Sequence, residues 1–165
     1  MHHPSVTLGL ALSAALAAAP ALAGTVEVRF DPKGTYTDVG ATPNERQHHL
    51  EALAAHLRSL GDKGLAGGRT LTIELIDVDL AGKPMPSRRS TGEPRVVSGR
   101  ADGPRIQLRY VLSEDGKELA AGKETLSDVG LPRLDTVRDA NSLVEHQQEK
   151  RLLDHWFAER IARLP

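Results

Sequence analysis

The sequence predicts an α+β domain: a mostly antiparallel sheet of about four strands with two helices packed on one of its faces. Three observations predict it. Residues 25–30 and 106–112 alternate apolar and polar side chains, residues 71–80 form a run rich in β-branched residues, and residues 50–60 and 152–164 space their apolar residues by three and four. The first alternation signals a half-buried strand, with Val26, Val28 and Phe30 on one side and Thr25, Glu27 and Arg29 on the other. Thr42-Pro43-Asn44-Glu45 then supplies an N-cap hydroxyl, a proline at the first helical position and a glutamate at the capping-box position. A helix starts there, carries Leu50, Leu53, Ala54, Leu57 and Leu60 on its apolar side, and stops at Gly61 and Gly64.

In the strand from Leu71 to Leu80 the phase changes: Leu71, Ile73 and Leu75 share one face, but Ile76, Val78 and Leu80 share the other. Either a bulge near Leu75-Ile76 resets the register or both faces of the strand's end are covered. Residues 81–95 form a long loop with three prolines and the basic trio Arg88, Arg89 and Arg95. Ile106, Leu108, Tyr110 and Leu112 alternate with Arg105, Gln107, Arg109 and Val111, and Asp115-Gly116 follows as a two-residue hairpin turn. That turn pairs Glu114 with Lys117, Leu112 with Leu119, Tyr110 with Ala121 and Ile106 with Thr125. A second helix runs from about Ser142 to Leu164, burying Leu152, Leu153, Trp156, Phe157, Ile161 and Leu164.

Residues Met1 to Ala23 have no acid and no Lys or Arg, are almost wholly Leu and Ala from Leu8 to Ala19, and end in Ala21-Leu22-Ala23. This reads as a signal peptide cleaved after Ala23, too short to span a membrane. The expected mature chain, residues 24–165, is a single domain in the periplasm or outside the cell, with no transmembrane segment of its own. With 21 Lys+Arg against 22 Asp+Glu the field has no single sign, so nucleic acid is not an expected partner. The lack of cysteine excludes disulfide staples and zinc-thiolate sites.

Asp77 and Asp79 project from one face of their strand about 7 Å apart, close enough to share a cation or a guanidinium. On an ideal helical wheel Arg160 lies about 20° from Leu153, inside the apolar stripe, and Glu149 falls in the same sector. A charge there must snorkel or pair, which predicts a partly buried ion network joining Glu149 or Arg160 to Asp77, Asp79 or Asp102. His49 and His56 stand two helical turns apart, about 10.5 Å, too far for one ion. His48, His49, His56, His146 and His155 therefore read as surface or rim residues, and no His-Glu-x-x-His motif is present. Nucleophile elbows and phosphate loops are also missing from the sequence, and no cofactor is expected. Arg88, Arg89, Arg95, Arg100, Arg105 and Arg109 form the densest basic stretch, a candidate anion-recognising patch for an envelope polymer or an acidic protein surface.

Several motifs together, Val26-Glu27-Val28-Arg29-Phe30, Tyr36-Thr37-Asp38, Ile76-Asp77-Val78-Asp79-Leu80-Ala81-Gly82, residues 99–106 (GRADGPRI), Leu126-Ser127-Asp128 and residues 149–157 (EKRLLDHWF), make the chain resemble a family of small secreted proteobacterial proteins known as domain of unknown function 3016. The resemblance spans nearly all of the mature chain. It implies a periplasmic or secreted single domain with no assigned activity, and it carries over no catalytic residue. The function expected is non-enzymatic binding of a protein or an envelope component. The alternative is a divalent-cation binder or metal-assisted hydrolase built on Asp77, Asp79 and Asp102.

Overall fold

A computed structural model describes residues 23–84, 95–97, 102–127 and 145–164. Strand β1 (Thr25–Phe30) leads through helix α1 (Pro43–Gly64) into the long strand β2 (Arg69–Asp79). Two short strands, β3 (Lys83–Pro84) and β4 (Arg95–Val96), pair with each other, and β5 (Arg105–Glu114) and β6 (Lys117–Ser127) form the hairpin. Helix α2 (Gln147–Trp156) continues directly into a π-helical turn over Phe157–Ile161. The main sheet has the order β1-β2-β5-β6, with β1 parallel to β2 and the other neighbours antiparallel. The parallel pair follows from α1, since parallel neighbours need a crossover connection and a helix supplies it.

Local sequence explains α1. The Thr42 hydroxyl accepts from the Glu45 N–H at 3.2 Å while the Glu45 carboxylate accepts from the Thr42 N–H at 3.0 Å, a complete capping box. Leu50, Leu53, Ala54 and Leu57 are buried against the sheet, and Gly61 lets the last turn approach β1. A Cβ at Gly61 would lie 2.2 Å from Val26 Cγ2. In the sheet Leu71, Ile73 and Leu75 of β2 stand opposite Leu112, Tyr110 and Leu108 of β5. The register then shifts between Leu75 and Asp77, so Ile76 is the extra residue of a bulge and Val78 returns to the core face opposite Ile106. The bulge brings two apolar runs of opposite phase into one core, and it leaves Asp77 and Asp79 on the other face.

The Asp115-Gly116 turn has positive φ at both residues, 49° and 80°, as a two-residue hairpin of this type requires. Ser113↔Glu118 and Glu114↔Lys117 pair as the turn dictates, but beyond them the register moves by one, to Leu112↔Ala120, Tyr110↔Gly122 and Ile106↔Leu126. The expected pairs Leu112 with Leu119, Tyr110 with Ala121 and Ile106 with Thr125 are therefore corrected. The physical reason is Leu126: the strict register would turn it to the solvent face, whereas the shift buries it and leaves Leu119 exposed. Gly122 faces Tyr110, where a Cβ would sit 2.8 Å from the ring, and Tyr110 in turn meets Trp156 edge to face with ring centres 5.8 Å apart.

Both helices contribute to one hydrophobic core on one side of the sheet, with Leu152, Leu153, Trp156, Phe157 and Ile161 of α2 and its continuation meeting the β5 residues. No described element covers the other side, which carries Thr25, Glu27, Arg29, Thr72, Glu74, Asp77, Asp79, Arg105, Gln107, Arg109, Lys123 and Thr125. An antiparallel sheet with one packed and one solvated face produces this alternation. Among the described residues no helix is long and apolar enough to cross a membrane.

Candidate functional site

Three constellations of polar side chains stand out. The first closes the C-terminal end of β2. Arg95 points inward from β4, and its guanidinium donates to the carbonyls of Leu80 (3.2 Å), Ala81 (2.9 Å) and Gly82 (2.6 Å) and to both carboxylate oxygens of Asp38 (2.6 and 3.3 Å). Asp38 belongs to the segment that follows β1, and its backbone bridges Asp79 in parallel. One guanidinium thus gathers three chain segments, a task its planar fork of donors suits. Beneath it the Ala81 N–H donates to Glu149 Oε1 at 2.6 Å, and Glu149 is 3% exposed. Burial pushes the Glu149 carboxyl above its ordinary value, opposed by the Ala81 N–H and by the Arg95 charge.

The expected ion network is rearranged. Arg160 lies exposed and donates to Glu124 on the helix side of β6 at 2.8 Å, so it does not answer the central aspartates. The helical wheel misplaces it because the chain bonds i→i+5 after Trp156, with the Ala162 N–H donating to the Phe157 carbonyl. Each residue of that turn then advances less than the 100° the wheel assumes, and Arg160 swings off the apolar stripe. Asp77 accepts from the Thr37 N–H at 2.8 Å and from the Thr37 hydroxyl at 3.1 Å, one bond to each oxygen. Asp79 stands opposite Arg105 in register; burial, then Asp38 and Asp77, raise its carboxyl, while Arg95 and Arg105 pull it down. Asp102 contributes its backbone carbonyl, which accepts from the Gly82 N–H at 2.8 Å. Among the described residues, Arg95 and Arg105 are the guanidiniums whose charge acts on Asp79.

The second constellation is the open sheet face. Arg105 and Arg109 project from it, and Arg109 pairs with Glu74 across the strands. Arg95, turned inward, is not part of that surface, and Arg88, Arg89 and Arg100 lie outside the described residues. The described arginines of the basic stretch are thus divided by the fold between a structural knot, Arg95, and an exposed face, Arg105 and Arg109.

The third constellation joins residues 97 apart in sequence. His48 and His49 in the second turn of α1 meet Glu145 and His146, the two residues that open α2. Glu145 Oε1 lies 3.1 Å from His48 Nε2, 3.5 Å from His49 Nδ1 and 3.3 Å from His146 Nε2, and His49 Nδ1 lies 3.0 Å from His146 Nε2. His146 is held at φ 58°, ψ 35°, in the left-handed region, with its ring 5% exposed. Burial lowers the His146 imidazole to about 4 and also lowers His49, so both rings are neutral at neutral pH. Burial raises the Glu145 carboxyl, but His146, His48 and His49 outweigh it and bring the group below its ordinary value. His56 bridges the same two helices further along, 2.6 Å from Asp154. His48 and His155 are exposed, as the surface reading expects, but His49, His56 and His146 are partly or largely buried, and with His48 they line the contact between α1 and α2. Only the two adjacent pairs, His48-His49 and Glu145-His146, hinted at it.

Residues 24–159 match the family described as protein of unknown function, DUF3016. The chain belongs to this family. No curated protein matches this DUF3016 member. Two solved structures of the PelC dodecamer from Paraburkholderia phytofirmans are each 17% identical to it: one, a point-substituted form, covers 83% of this chain and 94% of its own at a TM-score of 0.27, the other 77% and 88% at 0.27. At that similarity neither bears on assembly or activity.

Proposed function

We propose that this DUF3016 protein is an exported, non-enzymatic binding module that contacts a protein partner through the open face of its sheet. The observation that carries the reading is the mixture of charges on that face: Glu27, Glu74, Asp77 and Asp79 alternate across the strands with Arg29, Arg105, Arg109 and Lys123. A face of both signs suits a complementary protein surface better than a uniformly charged polymer, because specificity comes from matching each patch to its opposite. Four strands at about 4.8 Å and ten residues at about 3.3 Å give roughly 600 Å², below the about 800 Å² per partner of a standard stable interface and suited to a transient one. Export is supported by the apolar run from Leu8 to Ala19 before Ala21-Leu22-Ala23 and by a family match that begins at residue 24.

Photo-crosslinking in cells tests this. A crosslinker at Thr72 or Gln107 on the open face is expected to give discrete protein adducts, and one at Arg58 on the outside of α1 to give none. Arg105→Glu with Arg109→Glu abolishes the adducts, and raised salt weakens them. Equal adducts from both sides of the molecule, or none from the sheet, overturn the reading. The alternative cation site on Asp77, Asp79 and Asp102 is less well supported, since both Asp77 oxygens already accept from Thr37 and the metal-capable group found among the described residues is His48, His49 and Glu145.

A further inference from the structure

We propose that His48, His49, Glu145 and His146 form a binding site for a divalent transition-metal ion of the zinc class, which clamps the second turn of α1 to the start of α2. Ligand atoms of His48, His49 and Glu145 all lie within 4.8 Å of one another, and His146 Nε2 adds a fourth beside Glu145 and His49. Zinc bonds of about 2.0–2.2 Å in tetrahedral geometry place neighbouring ligand atoms about 3.3–3.5 Å apart. Four of the six separations among these ligand atoms run from 3.0 to 3.5 Å and His48 lies within 4.8 Å of His49, so an ion at the centre draws His48 inward and asks less of the other three side chains.

Hydrogen bonding accounts for the arrangement less completely. Three imidazole nitrogens approach the same oxygen, Glu145 Oε1. His49 Nδ1 also faces His146 Nε2, and a single proton between those two nitrogens leaves one of them with no hydrogen to offer the carboxylate. A cation removes the conflict, since every one of these atoms then presents a lone pair to it. Donor chemistry selects the class of metal. Imidazoles with one carboxylate suit zinc, copper or nickel, whereas calcium takes six or more oxygens and magnesium keeps an octahedral oxygen shell. His48 is 66% exposed and Glu145 49%, which gives an ion a route from solvent, while His146 anchors the buried side at 5%. The cluster sits in the helical layer, away from the open sheet face, so the inference stands or falls independently of the docking reading.

The test uses the untagged protein, treated with EDTA and dialysed, with Zn²⁺ itself as the probe. Titration calorimetry is expected to show one Zn²⁺ per chain, and Zn²⁺ at a hundred times its Kd to raise Tm by about 8 °C. Ca²⁺ and Mg²⁺ at the same concentration leave Tm unchanged. H48Q and E145Q, both at largely exposed side chains and so safe for folding, each weaken Zn²⁺ binding by more than about tenfold. Co²⁺ gives the visible absorption of a tetrahedral site in the wild type and loses it in E145Q. Absence of Zn²⁺ binding, an equal response to Ca²⁺ or Mg²⁺, or unchanged affinity in both variants overturns the proposal.

Discussion

Replacing Glu149 by glutamine is expected to stabilise the protein at neutral and alkaline pH. The carboxyl is 3% exposed and accepts the Ala81 N–H, and burial holds its pKa above the ordinary value of 4.5. Below pH 4.5 the folded and unfolded chains both keep this proton, and its contribution to stability is fully present. As pH rises the unfolded chain releases the proton first, so stability falls until pH passes the folded value and then levels. Each unit by which the pKa is raised corresponds to about 1.4 kcal/mol, or roughly 4 °C in Tm for a domain of this size. Glutamine imitates the protonated acid: its carbonyl still accepts from Ala81, and it has no proton to lose. Urea denaturation of the wild type and E149Q at pH 4, 6 and 8 should therefore give curves that coincide at the acid end and diverge above it, with E149Q the more stable. The difference between the two proteins isolates this group from every other carboxylate. E149L supplies the contrast, because it leaves the Ala81 N–H unpaired and costs about 1–3 kcal/mol even at pH 4. If E149Q were the less stable protein at pH 8, the charged carboxylate would be serving Arg95 as an ion-pair partner, and the argument from burial would fail.

Three further substitutions probe the scaffold. Arg95→Ala strips one carboxylate and three carbonyls of their donor and is expected to cost about 3 kcal/mol by urea denaturation, with Arg95→Lys recovering only part of it; a loss below about 1 kcal/mol would mean that solvent replaces the guanidinium. Gly61→Ala improves helix propensity by about 1 kcal/mol, yet its Cβ falls 2.2 Å from Val26 Cγ2, so overpacking of about 1–3 kcal/mol should prevail and lower the urea midpoint; a gain would show that β1 can retreat. Arg160→Ala, which removes the exposed pair with Glu124 and the contact with the Tyr110 hydroxyl, should lower Tm by no more than about 3 °C, and a larger fall would restore a structural role to that side chain.

The core of this fold is legible because it rests on local rules. The capping box at Thr42 and Glu45, the helical spacing through Leu57 and the two-residue turn at Asp115-Gly116 are each decided by neighbours within a few residues, and each is where the sequence predicts it. The phase break at Leu75-Ile76 was readable too, since a strand with apolar residues on both phases must either bulge or be covered twice, and Ile76 is bulged. Legibility ends where a distant burial competes with a local rule. The hairpin register obeys its turn for two pairs and then yields to Leu126, whose burial outweighs an unbroken ladder. In the last helix the wheel fails at the π turn, where seating Phe157 and Ile161 in the core changes the angular step and moves Arg160 to the surface.

The site residues went further astray for a related reason: charge is assigned by three-dimensional neighbours. Arg95 has the composition of a surface cation in a proline-rich loop, but the pairing of β3 with β4 returns it to the end of β2, where unpaired carbonyls of Leu80, Ala81 and Gly82 need a donor. The sequence places Glu149 in an ion network with Arg160 or the central aspartates, whereas the structure gives it an amide, because the N–H it meets belongs to the residue at which the central strand leaves the sheet. The histidines show the limit most plainly. Within one helix His49 and His56 stand two turns apart, too far to share an ion. Packing α2 beside α1 brings a second pair of donors 97 residues later against the first, and no periodicity within either helix encodes that meeting. What does encode it is the apolar stripe on each helix, which fixes how the two lie on the sheet and so which polar residues meet at their shared end.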